Sequence, residues 1–151
     1  MSDIAKMAGV GRATYYAHYS SKHELLRSQF SRIVAPMLRE QQEDPCPLDC
    51  TLLFAHVRTT PRLYKALMRG PEGGAGARIL RTCFEERIRR VLAVGAANPI
   101  APKFVAASLL AIIEFWIGNG LREPPEALQA VFRKLVGGGL GAYLSLKSED
   151  P

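Results

Sequence analysis

A chain of 151 residues with 48% hydrophobic and 23% charged side chains is long enough to bury a core without staples and too apolar to remain disordered. Its three cysteines, with no signal-peptide pattern ahead of them, argue against a disulfide framework and for a reducing compartment, the cytoplasm. The net charge of +6 favours a polyanionic partner without naming one. Half of that excess falls in residues 1–42, where six basic side chains face three acidic ones.

In chain order the periodicity is helical nearly throughout. SDIAKMA (2–8) places Ile4, Ala5 and Ala8 on one face. Gly9 then supplies a helix stop that only a residue without Cβ makes at no cost, and Val10 plugs the turn. A second short helix is predicted over 12–18. Ser21 and Glu24 match a capping box, which opens a helix over 21–41 with Leu25, Leu26, Ile33, Met37 and Leu38 as its apolar side and Pro36 as a kink or interruption. EDPCP (43–47) reads as a linker, dividing the chain into 1–42 and 43–151.

Further helices are predicted over 48–58, 61–69, 76–94, 102–120 and 124–146, with Pro61, Pro102 and Pro124-Pro125 at their starts. GPEGGAG (70–76) lacks a preceding strand and a following GK[ST], so it is an inter-helix loop rather than a phosphate cradle. FVAASLLAIIEFWIG (104–118) is shorter than the roughly 20 residues of a membrane span and contains Glu114. It reads as a helix buried on most sides, and no membrane partner is expected. The predicted fold is all-α.

The first two helices, joined by a Gly-containing turn, fit a helix-turn-helix whose second helix enters a DNA major groove. Arg12 suits guanine or a phosphate, and Thr14 a base edge or a thymine methyl. Tyr15, Tyr16 and His18 carry donors that reach phosphate oxygens. Lys22 sits in the first turn of the next helix, where free amides also favour an anion. Tyr15 shares a face with Tyr19, and Ala13 with Tyr16, so one pair packs inward; Tyr19 is the ring expected in the core.

IAKMAGVGRATYYAHYSSKHELL, from Ile4 to Leu26, resembles the signature of TetR-family transcriptional regulators. Gly11 stands where the family has Ser or Thr, which removes a side-chain cap worth a few tenths of a kcal/mol, and Tyr19 where it has Phe. The resemblance implies a homodimer that binds a palindromic operator, a C-terminal domain that dimerises and takes a small-molecule effector, and release of the operator when the effector binds. It also implies Thr14, Tyr16, His18 and Lys22 as DNA contacts. It further implies a helix ahead of this stretch, covering Ile4, Ala8 and Val10. A late start, a truncation or a true loss would each leave those side chains uncovered and DNA binding weak, and a dimeric ligand-binding protein without DNA binding is then the competing reading. A steep salt dependence of duplex affinity separates the two.

In the C-terminal half, residues 53–68 weakly resemble a pattern common in one branch of the family's C-terminal domains. His56, Tyr64, Phe84, Phe115 and Trp116, with Phe54, Val57, Leu67, Met68 and Leu80, are candidates to line an apolar pocket or simply to form core. His56 and Arg87 are the expected polar handles for the effector. The helix at 102–120 is apolar nearly all round, more than one domain of this size covers, so homodimerisation is expected through it and 124–146 as half of a four-helix bundle. Gly137-Gly138-Gly139 would end that helix or admit a partner. No enzyme, cofactor or metal is expected: Cys46, Cys50 and His56 do not make a usual zinc spacing, and His18 and His23, five apart, do not share a helical face.

Overall fold

A computed structural model describes residues 22–41, 46, 48–69, 73–92 and 99–139. Helix α1 (Lys22–Val34) is followed by the strand β1 (Arg39–Glu40), which pairs antiparallel with β2 (Leu48–Asp49). Then come α2 (Thr51–Thr59), α3 (Pro61–Arg69), α4 (Gly73–Val91), α5 (Ile100–Gly118) and α6 (Pro125–Phe132), the last continued by a π-helical turn (Arg133–Gly137). Among the described residues the fold is all-α apart from this ribbon of two two-residue strands.

α4 is the hub: α1, α3 and α5 all pack on it, while α6 packs on α2 and α5. One core runs through these elements, from Phe30, Val34 and Leu38 to Phe54, Leu80, Phe84, Ile113, Trp116 and Phe132. Phe54 meets Trp116 edge to face with ring centroids 6.1 Å apart, the arrangement that ring quadrupoles favour.

The helix expected over 21–41 stops at Val34. Pro36 is the reason: its ring and missing N–H break the ladder, and the chain turns on bonds from the amides of Met37 and Leu38 to the Val34 carbonyl before entering β1. Its apolar side also differs. Phe30 and Val34 are buried beside Leu25 and Leu38, whereas Leu26, Ile33 and Met37 are only partly covered. The ribbon itself has no alternating pattern that would announce it, and it pairs residues from either side of the expected linker at 43–47.

α3 begins at Pro61, as its sequence predicts, one residue after α2. Thr60 makes that tight corner by bonding the His56 carbonyl twice, from its amide at 3.0 Å and its hydroxyl at 2.6 Å. α3 and α4 approach so closely that a Cβ on Gly76 would lie 2.3 Å from the Leu67 carbonyl oxygen. α5 ends in a left-handed pair, Gly120 (φ 76°) and Leu121 (φ 56°), with the Leu121 amide bonded back to the Trp116 carbonyl in the manner of a Schellman cap.

The three glycines after residue 136 do not end the last helix within the described residues, which stay helical through 139. Gly137 instead packs against Cys46 of the same chain, where a Cβ would sit 2.6 Å from the Cys46 Cβ; Gly138 and Gly139 face open space. At 19 residues with mean hydropathy 1.8, α5 is long and apolar enough by composition to cross a membrane. In this fold it contributes Val105, Leu109, Ile113 and Trp116 to the core.

Candidate functional site

Arg12, Thr14, Tyr15, Tyr16 and His18, expected to read DNA, lie outside the described residues, as do the helices at 2–8 and 12–18 and the core position assigned to Tyr19. Lys22 is the first residue of α1. What the structure describes is how that segment is joined to the body.

α1 is held on α4 by polar contacts at successive turns. Near its start Arg27 forms an ion pair with Glu86. At mid-helix the Ser31 hydroxyl donates to the Cys83 sulfur at 3.5 Å, and the Cys83 thiol reaches the Arg27 carbonyl at 3.6 Å. Burial raises the pKa of that thiol, keeping it a protonated donor. Beyond the helix end, Arg87 Nε donates to the Leu38 carbonyl at 3.0 Å. Arg87, expected to orient an effector, thus anchors the turn after α1. Arg27, Ser31, Cys83 and Glu86 carry no sequence signal for this role, because the pairing is across 52 to 59 residues and belongs to the packing alone.

A second polar device braces the ribbon. The Cys50 amide donates to Gln129 Oε1 at 2.9 Å, and Gln129 Nε2 donates to the Leu48 carbonyl at 3.1 Å. Gln129 is buried, so both ends of its amide must be used. Its one visible signal is a lone polar residue in the apolar run ALQAVF. Cys46 and Cys50 are buried and in no disulfide. The Cys50 pKa is raised well above its ordinary value, by burial first and then by the neighbouring Cys46 and Asp49.

His56 and Tyr64, both candidate effector residues, are brought together: Nδ1 lies 2.9 Å from the phenol oxygen, and the rings meet edge to face. Burial lowers the imidazole pKa and raises that of the phenol, so the neutral forms face each other. In the Nε2–H tautomer the phenol donates to Nδ1. Phe84 and Trp116 are fully buried, with the indole N–H donating to the Glu123 carbonyl at 3.2 Å.

Phe115 stands apart from the other five, 67% exposed. It lines an apolar groove of about 380 Å³ between α5 and α6, with Ala111, Ile112, Ala127, Val131 and Leu135 around it and Glu123 at its rim. Of the six residues expected to meet an effector, Phe115 alone lines this groove. Val131 and Leu135 are also exposed, so the two helices present one continuous apolar surface to solvent.

Residues 1–28 match the family model described as bacterial regulatory proteins, tetR family. No curated protein and no solved structure matches the chain. The match ends inside α1, the helix that docks on α4, so the described body is what carries the segment the model recognises. Over that N-terminal segment the chain is similar to the tetR family of bacterial regulatory proteins.

Proposed function

We propose that the protein is a cytoplasmic, ligand-responsive repressor that binds a palindromic operator as a homodimer. The family match over residues 1–28 carries this reading. Arg12 and Thr14 read base edges, and Tyr15, Tyr16, His18 and Lys22 fix the register on phosphates. The exposed apolar surface of α5 and α6 supports the homodimer, because patches of this kind on a soluble protein mark interaction sites. Two copies would hold two reading segments at about 34–36 Å, one turn of DNA.

The effector response rests on α4. This helix holds α1 through Arg27–Glu86 and Arg87–Leu38 and packs on α3 and α5 as well. A small molecule that favours one placement of α4 over another shifts α1 with it, and operator affinity changes by its differential affinity for the two placements. The joined pair His56 and Tyr64 supplies its polar handle, at the α2–α3 corner beside the hub.

The test is fluorescence anisotropy on duplexes selected from a random pool, at two salt concentrations. Binding should weaken steeply with salt through counterion release. Tyr16→Ala and Lys22→Ala should weaken all duplexes alike, while Arg12 and Thr14 substitutions should change the preferred sequence. A selection that enriches nothing, with no salt-dependent duplex binding, would return the protein to the competing reading of a ligand-binding helical dimer.

A further inference from the structure

The exposed face of α5 has an internal order that an apolar patch does not require. Lys103 and Glu114 are both exposed, and neither has an ion-pair partner among the described residues. They are eleven residues apart, about three turns, which brings them back to one edge of the face. Phe104 and Phe115, 53% and 67% exposed, repeat the same spacing along the other edge, the one beside α6 and its groove. Ala107 and Ala111, exposed as well, lie on the strip between the two edges.

These three pairs share a midpoint to within about half a residue of Leu109. In an antiparallel pair of identical helices, a two-fold axis across them makes residue i face j and j face i. The same axis keeps each edge of the helix opposite the same edge of its partner. One register therefore sets small residues against small at the crossing, aromatic against aromatic on the α6 side, and a cation against a carboxylate on the far side. A register shifted by a turn sets Ala111 against Lys103 in one direction or Ala107 against Phe115 in the other, and in both it leaves both charges unmatched.

We propose that the occupant of this face is a second copy of the chain, with α5 antiparallel to α5. Lys103 lies against Glu114 of the partner subunit, Phe104 against Phe115 of the partner subunit, and Ala107 against Ala111 of the partner subunit. The assignment rests on the homodimer reading above and adds to it the register and the charge pair that selects it. Close approach at the alanines is what lets the aromatic edge seal the groove, and the two symmetric ion pairs discriminate against the shifted alternatives, since those leave each charge at the interface without its opposite.

Sedimentation equilibrium on the full chain tests the register directly. Lys103→Glu and Glu114→Lys should each raise the dimer dissociation constant about tenfold at low salt, because every reversal acts at two symmetric contacts of the modest strength that exposed pairs have. The double exchange K103E/E114K should return the constant to within about threefold of the starting value. Both positions are exposed, and circular dichroism on each variant confirms the fold. A dimer whose dissociation constant is unchanged in both single variants, or a double exchange as weak as the single ones, overturns the register while leaving the homodimer standing. A chain that stays monomeric at every concentration overturns both.

Discussion

Four positions set local terms that a single substitution reads out. Gln129 braces the ribbon to α6 with both ends of a buried amide. Gln129→Leu keeps the volume but strands a buried N–H and a carbonyl, so the unfolding free energy should fall by about 2–4 kcal/mol in urea titrations. Gly76 and Gly74 sit in the same helix and should respond with opposite sign. Gly76→Ala drives a Cβ into the Leu67 carbonyl and should cost about 1–3 kcal/mol, more than the helix propensity it gains. Gly74→Ala meets nothing closer than the Arg78 guanidinium at 3.7 Å and should be neutral or stabilising by up to about 1 kcal/mol. For His56 the sign follows from its depressed pKa. The folded state disfavours the imidazolium, so stability is full above the ordinary value of 6.5 and declines as pH falls through it toward the folded value. The urea midpoint should therefore drop between pH 7.5 and 5, and His56→Gln, which retains a partner for Tyr64, should flatten that part of the slope.

Between elements, the α1–α4 contact is graded rather than uniform. The Arg27–Glu86 pair is largely exposed at Arg27, with 55% of that side chain accessible, so Glu86→Ala should change stability by less than about 1 kcal/mol. Arg87 donates a charged hydrogen bond to a backbone carbonyl at a partly buried site, and Arg87→Leu should cost about 1.5 kcal/mol or more. Hydrogen exchange would separate the two: the Arg87 variant should lose protection in residues 31–41 while Glu86→Ala leaves it nearly intact. The sequence shows that α1 has an apolar side and that Pro36 interrupts it, because periodicity and the proline ring are local. It shows neither the ribbon nor these polar contacts, because a two-residue ladder and a side chain whose partner lies 49 or 59 residues away leave no periodic trace.

Over the whole molecule, the core joins Phe30, Val34 and Leu38 to residues as distant as Phe132 and Val136, and the ribbon pairs both sides of the expected linker. Unfolding should consequently be one transition, with fluorescence of the single tryptophan, Trp116, coinciding with far-UV circular dichroism; an earlier loss of helix signal would mean that α1 and the ribbon melt separately. What the sequence determined by itself is the helical class, the start of α3 at Pro61, an interruption at Pro36 and the family signature from Ile4 to Leu26. Each is written in neighbouring residues, through periodicity, proline geometry or a continuous motif. Only the tertiary structure decided that Arg87 anchors a turn, that Gly137 meets Cys46, that Trp116 is core while its neighbour Phe115 faces solvent, and that α4 is the hub beneath α1. Those outcomes depend on which helix face meets which, and helix docking is set by the summed burial of distant side chains rather than by any local run of residues.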